Sequence, residues 1–289
     1  MKEKKMVFSQ GLADATGKIP VTLRNDMVLH SVTQRSKNTL KGLICALLEV
    51  QEADVKEVDL LNPIDYKNYK EKEIILDIRV LFNNREIVNV EVQCYRMDAW
   101  TDRSVYYLCR SYLNLDQHDD YADAYPVTQI SIMNYTLFAD SPEFYAKYRL
   151  MNEKNHRLYS SKIKLNVLDL TQIERANEEG ASSQLVHWAK LFLAETWEEL
   201  RSLCNGDEIM MEAAEMVYDI NITPEERVLA EAHEKYLMDK RVSFRLGLKR
   251  GREEAEEQFR SELEQMNSEL EQKDAEIARL KAMLEKENA

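Results

Sequence analysis

Apolar and polar positions along this chain repeat with two periods, and each change of period marks an element. From Glu73 to Cys94 the period is two, the repeat of a β-strand whose side chains alternate faces. β-branched and aliphatic residues fill 74–81 and 87–92, and Asn83-Asn84 stands between them, where residues that tolerate positive φ are favoured. A hairpin is predicted. Before it, Asn25 or Asp26 can cap a short helix through Val28, Leu29 and Val32. Leu40, Leu43, Ile44, Leu47 and Leu48 fall at helical spacing and predict a helix over 36–50. Residues 55–61 read as a strand ended by Asn62-Pro63. After the hairpin, Asp98 can cap a helix running to Leu115, and Pro126 introduces a fourth strand over 127–135. Ile163, Leu165 and Val167 alternate and predict an edge strand within 157–170. From Ala181 onward the pattern is helical: 186–200, 208–220 and a third helix opened by Thr223-Pro224. The order helix, three strands, helix, strand implies a mixed sheet flanked by helices.

The tail has a third pattern. Phe259, Leu263, Met266, Leu270, Ile277, Leu280 and Leu284 follow one another in steps of four and three, with Lys273 filling the vacant seam position. Glu and Lys dominate elsewhere, as in a coiled coil. A seam this narrow is marginal on a lone helix, so self-association as a dimer through residues 252–288 is expected; a single solvated charged helix is the alternative.

Three polar residues interrupt the hairpin: Asp77, Glu91 and Gln93. A buried carboxylate is costly, so their placement requires a reason. If the all-apolar faces share one side of the sheet, Asp77 joins Glu91 and Gln93 on the other. A three-residue loop over 83–85 sets Phe82 opposite Glu86 and Asp77 opposite Glu91. A two-residue loop, with Phe82 opposite Arg85, splits the acids across the sheet. Adjacent carboxylates repel unless they share a proton or a cation, and Mg²⁺ is typically held by one or two carboxylates. Asp77 and Glu91 would supply such a site. An ordinary antiparallel hairpin with one wet face fits the same alternation.

Composition narrows the field. The chain has 289 residues, 44% hydrophobic and 31% charged, enough for a sizeable core and much exposed helix. No run of 18 apolar residues is present and the charged start lacks a signal-peptide core, so a cytoplasmic protein with no membrane span is expected. Four scattered cysteines and five histidines show no metal-ligand spacing. The net charge of −13 argues against broad nucleic-acid contact, but it is uneven. Residues 1–150 hold 19 Lys and Arg against 22 Asp and Glu, a net of −3, and residues 151–289 hold 20 against 30, a net of −10. Gly247 and Gly251 lie among cations but lack phosphate-loop order.

Several segments in order carry a resemblance: Pro20-Val-Thr-Leu-Arg-Asn-Asp26, Leu40-Lys-Gly-Leu-Ile-Cys-Ala-Leu-Leu48, Asn62-Pro63, Leu76-Asp-Ile-Arg-Val80, Glu91-Val-Gln93, and Arg103 with Tyr107 four residues on. Over 18–170 the chain resembles the PD-(D/E)XK nuclease superfamily and, within it, the bacterial recombination-promoting nuclease and transposase families. The resemblance implies an α/β fold: a restriction-endonuclease-like mixed sheet flanked by helices, followed by a helical region and a C-terminal coiled-coil helix. The expected division is a flexible lead-in over 1–17, the nuclease-like domain over 18–170, helices over 171–250 and a coiled-coil tail over 251–289. It implies metal-dependent hydrolysis of DNA phosphodiester bonds, linked to recombination or transposition. Asp77 and Glu91 would bind Mg²⁺ or another divalent cation such as Mn²⁺. Gln93 and Arg103 would complete the catalytic set, with Asp26 and Tyr107 as further candidates; Asp26 reads more readily as a helix cap than as a ligand. The family's best-known form has Lys where Gln93 stands, and a neutral amide cannot stabilise negative charge as an ammonium does. Slower cleavage or heavier reliance on the metal is then expected. The rival expectation is a catalytically idle interaction protein that keeps the fold and oligomerises through its coil.

Overall fold

A computed structural model describes residues 7–62, 77–97, 99–115 and 118–287. Among the described residues six strands form one sheet: β1 (Val58–Leu60), β2 (Ile78–Phe82), β3 (Glu86–Gln93), β4 (Val127–Met133), β5 (Tyr145–Met151) and β6 (Leu158–Asp169). Their spatial order is β1-β2-β3-β4-β6-β5. β1, β2 and β3 run antiparallel as a meander, β3, β4 and β6 are parallel, and β5 returns antiparallel at the far edge. The parallel β3–β4 step requires a crossover, and α4 (Trp100–Tyr112) supplies it.

Ahead of the sheet lie α1 (Gln10–Asp14), α2 (Asp26–Arg35) and α3 (Lys37–Leu48). Asn25 caps α2, its side chain accepting from the N–H groups of Met27 and Val28. Ser36 ends α2 and caps α3 by accepting from Thr39 N–H. After the sheet come α5 (Ser183–Leu193), α6 (Trp197–Cys204), α7 (Glu208–Ile222) and α8 (Pro224–Glu287). Ile78, Val80, Val88, Val90, Ile130 and Ile132 share one core with side chains of α2, α3, α5 and α7. The opposite face packs on α4: Leu108 meets Ile87 and Val127, and Trp100 meets Met133 and Val167. Gly42 on α3 makes close approach to α7 feasible, since a Cβ there would lie 2.7 Å from Ile209 Cγ2. Gly42→Leu is therefore expected to lower stability by about 1–3 kcal/mol, read as a fall in the urea midpoint.

The sheet differs from expectation in several places. The 157–170 stretch is not an edge strand: β6 lies between β4 and β5. The edge is β5, whose mostly exposed or half-buried side chains leave little alternation to read. The helix expected over 186–200 is two helices, because Thr196 and Glu199 form a reciprocal capping box that starts α6 afresh. Part of the expected lead-in is packed: Leu12 of α1 is fully buried and Ser9 Oγ bonds to Glu215 Oε2 at 2.7 Å. The helix begun at Pro224 does not stop but runs through Glu287. The Asp98 cap lies outside the described residues, and α4 starts at Trp100 after Ala99.

Packing divides the chain into two units, Met1–Glu231 and Ala232–Ala289. In the second, every side chain of α8 described from Met238 through Lys281 is exposed, Val242, Phe259, Met266 and Leu270 among them. No helix among the described residues is long and apolar enough to cross a membrane.

Candidate active site

The turn between β2 and β3 fixes the site. Asn83 and Asn84 both take left-handed backbone, with φ of 50° and 54°, which asparagine tolerates better than most residues. Asn83 Oδ1 accepts from the N–H groups of Lys56 (2.7 Å) and Glu57 (3.2 Å), and Asn84 Nδ2 donates to Glu57 Oε2 (3.0 Å). The loop so held is three residues long, with Phe82 opposite Glu86 and Ile78 opposite Val90. One step further in the same register, Asp77 falls opposite Glu91. The two-residue alternative, which would have split the acids, is not the one adopted. Asp77 sits immediately before β2, and residues 74–76, where the sequence reading starts this strand, lie outside the described residues.

Each acid is held by backbone or by packing. Asp77 Oδ2 accepts from Val92 N–H at 2.7 Å. Its carbonyl oxygen lies 2.9 Å from His30 Nδ1 on α2, so that ring nitrogen is the donor. Glu91 projects beneath α4 and is 2% exposed. Its Oε1 is buried with no hydrogen-bond partner, and its Oε2 lies 3.8 Å from Arg103 Nη2. Burial pushes the Glu91 carboxyl up to about 8, the Asp77 charge adds to the rise, and Arg103 opposes it.

Arg103 is oriented by its own helix. Its Nε donates to Tyr107 Oη at 2.9 Å, one turn along α4. The guanidinium also lies over the rings of Trp100 and Tyr107, with centroids at 5.4 and 5.0 Å. Burial raises the Tyr107 hydroxyl above its usual range. Gln93, two residues beyond Glu91 on the same face, donates from Nε2 to the Tyr95 carbonyl at 3.2 Å. Asp26 occupies the first turn of α2, but the cap is Asn25. No group of three or more His, Cys, Asp and Glu side chains suited to a metal occurs among the described residues, so Asp26 does not close a cage with Asp77 and Glu91.

Sequence reasoning missed a polar layer around these acids. In the parallel register Glu91 pairs with Ser131 and Asn89 with Gln129. Asn89, Gln129 and Ser131 are fully buried. Asn89 Nδ2 donates to Ser111 Oγ of α4 at 2.8 Å and to Gln129 Oε1 at 3.2 Å, while Ser131 Oγ has no partner. The signal was present in Gln129 and Ser131 at alternate positions of an otherwise apolar strand. His30 carried no signal, because its partner is a backbone carbonyl.

The donor set fits a hard divalent cation. Such ions take oxygen ligands and commonly keep several waters, needing only one or two carboxylates. Glu91 Oε1 is an orphaned buried acceptor, and an unpaired buried polar atom needs a compensating partner. A second carboxylate is close enough to raise its pKa. Together the meander, the parallel crossover and the flanking helices define a restriction-endonuclease-like α/β fold, on which the two acids face each other. A family model described as PD-(D/E)XK nuclease family transposase matches residues 27–247, and the chain belongs to that family. Nucleases of this class generally use divalent metal ions. No curated protein matches the chain, and no solved structure does.

Proposed function

We propose that the chain is a metal-dependent endonuclease that hydrolyses DNA phosphodiester bonds during recombination or transposition. The observation that carries this reading is Glu91: a buried carboxyl group with one unpartnered oxygen, its pKa raised by burial and by the Asp77 charge. Asp77 and Glu91 would hold Mg²⁺ or Mn²⁺. When bound, such an ion polarises a phosphate and acidifies water. The remaining work belongs to the chain. Val92 N–H fixes the Asp77 carboxylate, and Tyr107 and Trp100 fix the Arg103 guanidinium at the rim of the site. Arg103 is about one-third exposed on its side chain, 34%, and can take a phosphate oxygen in a charge-assisted bond. Gln93 orients water or a non-bridging oxygen through its amide. With no ammonium at position 93, the Arg103 guanidinium beside Glu91 offsets developing charge.

The test is incubation of supercoiled plasmid with the protein and Mg²⁺ or Mn²⁺, comparing wild type, Asp77→Asn and Glu91→Gln. Nicking by the wild type alone supports the reading; equal nicking by all three sinks it. A second reading has its own observation: Arg103 already sits against Glu91 as a built-in counter-charge, as an idle interaction platform would tolerate. A wild type inert with every metal, yet oligomeric, favours that platform.

The same reading assigns the α8 seam to a homodimer. Phe259, Met266, Leu270 and Ile277 are exposed on a single chain, and apolar seams at this spacing are covered by a second helix. Truncation before Gly251 is expected to reduce the mass measured by light scattering from dimer to monomer.

A further inference from the structure

Within this acidic chain, residues 235–252 of α8 stand apart. They hold Lys235, Lys240, Arg241, Arg245, Lys249, Arg250 and Arg252 against Asp239 alone, a net of +6 where the whole chain is −13. The tail that follows, 253–289, holds 5 cations against 12 acids, a net of −7. The basic stretch is helical throughout and its cations are exposed. We infer that this stretch is a second DNA-contacting surface, which grips the phosphate backbone of a duplex in addition to the Asp77–Glu91 site. The inference rests on the nuclease reading for the identity of its partner.

Three observations support the assignment. The first is charge. Eighteen helical residues span about 27 Å, and duplex DNA presents one negative charge per about 1.7 Å of axis, so seven exposed cations match a polyanion. The second is register. Continued backward from Phe259 in steps of three and four, the heptad seam passes through Glu256, Arg252, Lys249 and Arg245. A dimer zipped at Phe259–Leu280 would bring like charges face to face at Lys249 and Arg245, which opposes pairing. The helices would therefore part upstream of Glu256 and leave their cations open. Basic helices that fork from a zipper dimer in this way straddle duplex DNA. The third concerns the apolar residues. Tyr236, Met238, Val242, Phe244, Leu246 and Leu248 are all exposed, and their spacing spreads them around the helix. A helix that lies on a membrane needs one apolar face, and this stretch has none.

Lys249 and Arg252 make exposed i,i+4 pairs with Glu253 and Glu256, at 3.7 and 2.8 Å. Exposed pairs of this kind are weak and yield to phosphate. Arg245 and Arg250 are therefore the better probes, with Lys249 beside them.

The experiment uses the full-length protein in EDTA, so that no cleavage occurs. Binding of a fluorescein-labelled duplex longer than two helical turns is followed by anisotropy at about 50–200 mM salt. The variant Arg245→Gln/Lys249→Gln/Arg250→Gln keeps helix propensity, and circular dichroism confirms its fold. The charge-preserving variant Arg245→Lys/Lys249→Arg/Arg250→Lys is the control. Expected are a loss of at least about tenfold in affinity for the Gln variant and near-parental affinity for the control. The salt slope of the Gln variant should be shallower by about one for each phosphate it no longer neutralises. Parental affinity in the Gln variant overturns the inference while leaving plasmid cutting, measured separately, to judge the nuclease reading. Binding lost as expected in a protein that never cuts upholds this surface and removes the nuclease reading. A parent that neither binds nor cuts overturns both. Loss of binding to phosphatidylserine vesicles, or of dimer mass, with DNA affinity intact also overturns it, by assigning the cations to a lipid surface or to the second copy.

Discussion

Replacing Glu91 by glutamine is expected to stabilise the metal-free protein by a few kcal/mol at about pH 9, while abolishing cleavage. The Glu91 carboxyl has its folded pKa raised to about 8 from an ordinary 4.5, chiefly by burial. Between those values the folded protein holds a proton that the unfolded chain has released. Stability from this group is therefore complete below about pH 4.5 and is lost as pH rises toward 8, at up to roughly 1.4 kcal/mol per unit. Glutamine has nothing to titrate, so the variant escapes that loss. Urea midpoints of both proteins in EDTA, at about pH 5 and pH 9, make the comparison. The two should agree more closely at the lower pH and diverge at the higher. Parallel pH profiles would mean that Glu91 is not the buried acid described above. A divalent ion reverses the balance, since it must displace the same proton. Metal affinity of the wild type should therefore rise with pH up to about 8, and its protection against urea should be absent in Glu91→Gln.

Asp77→Asn is the second decisive change. It removes a charge but keeps an oxygen for the Val92 N–H, which Asp77 Oδ2 accepts at 2.7 Å. The fold should persist and cleavage should fall by about three orders of magnitude, the scale on which loss of a single preorganised electrostatic group is felt. The Glu91 pKa should also fall, because Asp77 is the second cause of its rise. Asp77→Ala adds a further loss of about 1 kcal/mol from the broken bond. Cutting at the wild-type rate by Asp77→Asn, with both Mg²⁺ and Mn²⁺, would move the chemistry elsewhere.

How much of this could be read from the residues differs from place to place. The hairpin was legible because parity is strict: once Asp77, Glu91 and Gln93 are required on one side, a three-residue loop follows, and it is observed. Arg103 and Tyr107 were legible as neighbours because four residues make one helical turn. The Glu91–Ser131 juxtaposition was not, since a parallel register across a helical crossover is set by how α4 packs. β5 was hidden because its exposed edge has no apolar rhythm, and with it went the interior position of β6. The break between α5 and α6 was written in Thr196-Trp-Glu-Glu199, a capping signal overridden by the continuous apolar spacing around it. The extent of α8 escaped notice because two patterns, one basic and one heptad, divide a single helix.

The hairpin tip has a consequence at a distance. Asn83 and Asn84 lie five strand residues from Ile78, about 17 Å along the sheet, and are tied down by Lys56 and Glu57. A slip that set Phe82 opposite Arg85 instead of Glu86 would slide β3 by one place and turn Glu91 to the far side, with Val90 or Val92 left beneath α4. The tip is no part of the proposed site, yet the register it holds works as a phase setting for the whole sheet. Change elsewhere in the loops can be gradual; a one-place slip of register at this corner is all or nothing.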